Sequence, residues 1–162
     1  MTMNPGKEEL KNPARRLPDL RLAPAAGGNA VPVRAHGRIS TVLLLRHTRD
    51  CLACDEYAEL LASRGADIAD WDGRVLVVVT ESEAGGPISS GTSTLPAVID
   101  QGDRLTNALN AQAPALAVTD RWGEIHLMEN AGTEHRFPSA DEVVSWLRYL
   151  AIQCPECQGE AF

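Results

Sequence analysis

The apolar positions of this chain change rhythm along its length, and each change marks an element. Two unbroken runs, Thr41-Val-Leu-Leu-Leu45 and Arg74-Val-Leu-Val-Val-Val79, predict strands buried on both faces of a sheet. Between them Ala53, Tyr57, Leu60 and Leu61 fall at offsets of helical period and predict an amphipathic helix that starts after Cys51 and closes at Gly65. Upstream, Leu17–Leu22 and Ala30–Arg34 alternate weakly around Gly27-Gly28 and predict a hairpin, with Pro32 confining its strand to an edge. Downstream, 95–100 reads as a weaker strand and 104–109 as a short helix. Ala113–Val118 and Glu124–Met128 read as a second hairpin, turned by Thr119-Asp-Arg-Trp-Gly123 with glycine supplying the awkward dihedral. Ser139-Ala-Asp-Glu142 is a capping box opening a last helix on Val143, Trp146, Leu147 and Leu150, and Pro155 forces its end.

This order of elements predicts an α/β fold, with a mixed central sheet flanked by helices and an N-terminal β-hairpin. At 162 residues and 44% hydrophobic, the chain suits one domain, placed here at 17–153. Residues 1–16 are polar and read as a flexible lead-in, the Gly/Ser/Pro-rich stretch 81–94 as a loop, and 154–162 as a tail. A net charge of −7 removes the basic stripe that nucleic acid or an anionic membrane rewards, so neither is expected as a partner. No run approaches a membrane span, and the polar start predicts no secretory leader. A cytoplasmic setting is therefore expected, where paired cysteines serve catalysis or metal binding more often than structure.

Cys51-Leu-Ala-Cys54 sits between a buried strand and a helix start. There the helix end carries partial positive charge and unpaired N–H groups, which favour a thiolate. A second cysteine one turn on lies within reach of a disulfide with little backbone adjustment. Cys51, nearer the helix end and solvent, takes the role of nucleophile, and Cys54, shielded one turn in, that of resolving thiol. Arg46, Arg49 and a protonated His47 favour charge on Cys51, whereas Asp50, Asp55 and Glu56 oppose it. The bland alternative is a pair of thiols that merely pack.

Around this motif the chain resembles the thioredoxin superfamily, and within it the peroxiredoxin-like branch known as AhpC/TSA or redoxin. Leu17-Pro-Asp-Leu20 is similar to that family's start of the first hairpin, and Leu95-Pro-Ala-Val-Ile-Asp100 to the segment before its short helix. Ala113-Pro114 matches the place of its cis-proline, and Asp120-Arg-Trp-Gly-Glu-Ile125 its second hairpin. The likeness runs from about Leu17 to Ile152. It implies a thioredoxin-like fold, a cis Pro114 facing the cysteines, and a backbone edge there on which a partner disulfide docks.

Two activities stay open. In peroxiredoxins a Pro and a Thr precede the cysteine; here Thr48 stands at the Thr position, Leu44 replaces the Pro, and Arg121 is a candidate second peroxide-orienting group by loose position only. Thioredoxins carry Trp before the first cysteine, where this chain has Asp50. The expected activity is thiol–disulfide exchange through Cys51 and Cys54, with hydroperoxide reduction through Cys51 as the alternative. A non-catalytic module with structural or zinc-binding cysteines is the reading from another class. A disulfide-bearing protein or a hydroperoxide would be the substrate and a thiol the recycling reductant, with homo-oligomerisation left open.

The second dithiol, Cys154-Pro-Glu-Cys157, invites a zinc site shared with Cys51 and Cys54. Topology opposes that within one chain: the last helix should run away from the active end for roughly 20 Å. The tail could instead relay electrons to another subunit, form its own disulfide, or bind zinc with another molecule; otherwise no cofactor is expected. The histidines 36, 47, 126 and 135 show no metal-like spacing, and His47 alone adjoins the proposed chemistry. Trp71, Trp122 and Trp146 read as packing residues.

Overall fold

The computed structural model describes residues 15–35, 37–47, 50–80 and 95–153. Most of the polar lead-in, His36, Thr48, Arg49, the 81–94 segment and the Cys154–Cys157 tail lie outside the described residues. The strands are β1 (Arg21–Pro24), β2 (Val31–Pro32), β3 (Ser40–Leu45), β4 (Gly73–Thr80), β5 (Ala97–Asp100), β6 (Ala115–Thr119) and β7 (Ile125–Asn130). The helices are α1 (Leu52–Ser63), α2 (Gly65–Asp70), α3 (Arg104–Ala108) and α4 (Ala140–Ile152).

The strands form a sheet in the order β2-β1-β5-β4-β3-β6-β7. β3, β4 and β5 are parallel, and β6 and β1 flank them antiparallel, so the sheet is mixed. The unbroken apolar runs are its middle, β3 being buried throughout, and Pro32 stands on the outermost strand, the position in a sheet that tolerates proline. Alternation divides each central strand between two cores. Val42, Leu44, Val75, Val77, Leu116 and Val118 pack under α1, α2 and α4. Leu43, Leu45, Leu76, Val78, Ala115 and Ala117 pack under α3 and the N-terminal segment through Leu17, Leu22, Leu105 and Leu109. At about 1.5–3 kcal/mol for each fully buried Val or Leu, these two layers fix the register, since a one-residue slip would exchange their contents.

Three local expectations change. The face of α1 turned to the core is Cys54, Tyr57, Ala58 and Leu61, while Leu60 is 47% exposed; starting the period at Ala53 rotated the stripe, because Ala53 and Leu60 lie on its rim. Gly65 does not close a helix on a left-handed residue: Arg64 caps α1 and Gly65 opens α2, whose Ile68 is drawn into the same core. The first strand begins only at Arg21. Residues 15–17 instead lie against the β6–β7 turn, where Leu17 N–H donates to Gly123 O at 2.7 Å and Ile125 N–H to Arg15 O at 2.7 Å.

That turn is held by a buried carboxylate. Asp120 accepts from the N–H groups of Trp122 and Glu124, both at 2.9 Å, and lies 3.1 Å from His126 Nε2. Burial alone would raise its carboxyl, but these hydrogen bonds outweigh burial and hold it below the ordinary range. The same contact, first among its influences, raises His126. Gly123 takes a φ of +85° with the Arg34 side chain against its Cα, a place no side chain fits.

Candidate active site

β6 leaves the site end of the sheet and β7 returns to it, pairing Asn130 with Ala115. The register of β6 against β3 sets Ala115 beside Leu45. Three parts of the chain therefore converge beyond the C-terminal end of β3: Arg46, His47 and Cys51 between β3 and α1, Ala113-Pro114, and the 131–139 loop before α4.

Cys51 is the N-cap of α1, and its Sγ accepts from Cys54 N–H at 3.4 Å. A sulfur replaces the usual Ser or Asp oxygen at the cap, satisfying one of the helix's unpaired donors. Cys51 is partly exposed, and Cys54, one turn on, is fully buried. Burial, then the hydrogen bond and charge of Cys51, push the Cys54 thiol up to about 12, with Arg46 opposing. Cys54 therefore keeps its proton at neutral pH.

The residue closest in function to Cys51 is one that sequence spacing did not select. His135 Nε2 lies 3.1 Å from Cys51 Sγ, across 84 positions of chain. Its Nδ1 faces the carbonyl of Thr133 at 3.0 Å, which can only accept. The Nδ1 therefore carries a proton, leaving Nε2 to accept from the Cys51 S–H or to hold that proton against a thiolate. His135 has a φ of +55°, uncommon for a side chain this size. The loop imposes it: Arg136 N–H donates to Ala131 O, and Ala131 N–H to Pro114 O. Tyr57 completes the clamp from α1, its hydroxyl donating to Pro138 O at 2.7 Å and its ring stacking on Phe137 at 4.3 Å. The expectation that His47 alone adjoins the sulfurs fails because it weighed neighbours in sequence. The hairpin's direction, already legible, sends the 131–139 loop back to the same end.

His47 also reaches the site. Its Nδ1 lies 3.6 Å from Cys54 Sγ, and its ring lies 5.0 Å from that of His135. Arg46 follows β3, its guanidinium 2.7 Å from Asp55 and so engaged in an ion pair beside the dithiol. The Ala113–Pro114 peptide is cis. Pro114, His47, Asn130, Thr133 and His135 line a cleft of about 470 Å³ beside the sulfurs. Arg121 is not brought to this site. It lies in the β6–β7 turn at the opposite end of the sheet, its guanidinium 4.3 Å above the Trp122 ring. β6 separates it from Pro114, so its loose position in sequence does not become proximity. Thr48 and the pair Cys154 and Cys157 lie outside the described residues.

No protein-family model and no curated protein matches this chain. Solved structures do. AhpC of Mycobacterium tuberculosis is similar with a TM-score of 0.70 at 17% identity, over 88% of this chain and 96% of that one. A thioredoxin-like protein of Porphyromonas gingivalis gives 0.64 at 19% identity, over 86% and 94%. A secreted M. tuberculosis disulfide oxidoreductase homologous to E. coli DsbE gives 0.62 at 17%, over 82% and 96%. The chain has the thioredoxin-like fold that its motifs implied.

Proposed function

We propose that the protein is a thiol–disulfide oxidoreductase that cycles Cys51 and Cys54 between dithiol and disulfide. The observation that carries this reading is the pair itself: a partly exposed sulfur capping a helix, hydrogen-bonded to an imidazole, with a buried thiol one turn away. His135 Nε2 takes the Cys51 proton, and the thiolate attacks one sulfur of a substrate disulfide lying in the cleft by Pro114. The first substrate sulfur leaves as a thiolate and is protonated from His135. Capture of Cys51 in the mixed disulfide removes its charge from beside Cys54. Cys54 then gives its proton to His47 Nδ1 and attacks Cys51 Sγ, and the second substrate sulfur leaves as a thiolate that takes this proton from His47. Two electrons pass from the dithiol to the substrate, and an external thiol restores the pair.

Disulfide exchange is favoured over peroxide reduction because both sulfurs have their own imidazole within reach, whereas Arg121 stands at the far end of the sheet. Insulin reduction with dithiothreitol as recycler tests the choice. The protein should accelerate precipitation of the insulin B chain, and Cys51→Ser should abolish the acceleration. Peroxide consumption without insulin reduction would overturn this reading in favour of a thiol peroxidase.

A further inference from the structure

We propose that the reduced protein binds one zinc ion between Cys51, Cys54, His47 and His135. One donor atom from each of these residues lies within 4.8 Å of every other. Two of the pairs are closer, 3.1 Å for Cys51 Sγ with His135 Nε2 and 3.6 Å for Cys54 Sγ with His47 Nδ1. A tetrahedral centre with Zn–S of about 2.3 Å and Zn–N of about 2.0 Å sets its donors roughly 3.3–3.8 Å apart. The side chains thus need to close by roughly 1–1.5 Å at most, and the Cys51–His135 pair to open by a few tenths of an ångström, to surround an ion of this size.

The chemistry of the set narrows the ion. Two thiols and two imidazoles suit zinc, and magnesium or calcium, which take oxygen ligands, have none here to hold them. Two of the donors are also supported from behind. The Thr133 carbonyl holds the proton of His135 on Nδ1, so the Nε2 lone pair points at the sulfurs; this is the outer support that metal-bound histidines use. Cys54 N–H donates to Cys51 Sγ, which favours negative charge on that sulfur. His47 and the two cysteines come from one short segment at the end of β3, and His135 from the loop that Tyr57 clamps to α1.

Binding breaks two S–H bonds, forms two Zn–S and two Zn–N bonds, and releases two protons to solvent. No electron moves and zinc stays divalent. A Cys51–Cys54 disulfide has no thiolate to offer, so zinc and the disulfide exclude one another. Bound zinc would hold the dithiol reduced and withdraw it from exchange.

The test uses the 162-residue protein carrying Cys154→Ser and Cys157→Ser, so that the tail dithiol cannot hold the metal. It is reduced, loaded with zinc sulfate, gel-filtered and assayed by inductively coupled plasma mass spectrometry. One zinc per chain is expected, falling to none after diamide oxidation or with Cys54→Ser. His47→Asn and His135→Asn should each weaken zinc against a chromophoric chelator by at least roughly 10–100-fold, the range that even outer-shell changes produce. Cobalt(II) in place of zinc should give sulfur-to-cobalt charge-transfer absorption and the intense visible bands of a four-coordinate site. Absence of zinc from the reduced protein, equal zinc in the histidine variants with circular dichroism unchanged, or uptake of copper(I) but not zinc would each overturn the proposal. Insulin reduction reads the redox function separately: zinc binding without it leaves this site standing, and reduction without zinc binding removes the site alone.

Discussion

Replacing Tyr57 with Phe removes one oxygen from the joint between α1 and the loop that carries His135. The ring can stay stacked on Phe137 at 4.3 Å, so packing is conserved and only the 2.7 Å hydrogen bond to Pro138 O is lost. Burial, followed by the charges of Glu129 and Glu142, pushes the phenol well above its ordinary range. It is therefore a donor at any working pH, and its loss should act equally across neutral conditions. The bond itself is worth about 0.5–1.5 kcal/mol, and leaving the buried carbonyl unpaired raises the cost to about 1–2 kcal/mol. For a chain of this length that lowers the melting temperature by roughly 2–8 °C. Tyr57→Ala, which also empties the space of the ring, should cost about 3–5 kcal/mol; the gap between the two variants separates hydroxyl from ring. Insulin reduction measured well below the transition should fall in Tyr57→Phe, because His135 loses one of the ties that set its distance to Cys51. A Tyr57→Phe protein that melts within about 1 °C of the parent and reduces insulin at the parent rate would refute the clamp.

Three other outcomes follow from the same geometry. His135→Asn keeps a residue that tolerates the left-handed backbone but is too short to reach Cys51 Sγ; losing a hydrogen bond worth about 1–2 kcal/mol should slow insulin reduction roughly 5- to 30-fold, with little change in melting. Asp100 is fully buried and accepts from Leu105 N–H, Thr106 N–H and the Thr106 hydroxyl; Asp100→Ala strands those donors and should lower stability in urea by about 2–4 kcal/mol. The Asp120–His126 contact should show in the pH dependence of stability. His126 is raised from 6.5, so its contribution is complete below that value and fades as pH climbs through its folded value; Asp120 is lowered from 3.8, so its share is complete above that value and fades only in stronger acid. The stability lost on His126→Gln should therefore be largest near pH 5–6 and shrink towards pH 8, and a difference flat across that range would be the wrong result.

The sheet was readable because burial on both faces leaves an unmistakable mark: β3 carries nothing but apolar and small residues for the length of a strand, and in β4 Arg74 alone interrupts such a run. The second hairpin was readable because Asp120 and Gly123 each answer a need of the turn, one for an acceptor and one for a positive φ. What escaped was decided by packing between elements. The rotation of α1 depends on which of its sides meets the core it shares with α2, α4 and the sheet, and a stripe wide enough to include Ala53 and Leu60 does not fix it. The helix at Gly65 escaped for a related reason, since Ile68 is its sole buried residue and one apolar position has no period.

The site divides along the same line. Cys51 and Cys54 announce themselves because their relation is local, set by one turn of one helix. His135 does not, since nothing within several residues of it points to a sulfur 84 positions away. Its place follows from topology in two steps: β7 must run antiparallel to β6, and β6 starts at Pro114 beside the end of β3. The segment after β7 is then bound to return to the dithiol, and a histidine in it becomes a candidate before any distance is measured. Arg121 fails by the same reasoning run the other way, since a turn that joins β6 to β7 must lie at the end of the sheet remote from the cysteines. Direction of chain, more than spacing along it, decides which side chains this fold brings to the sulfurs.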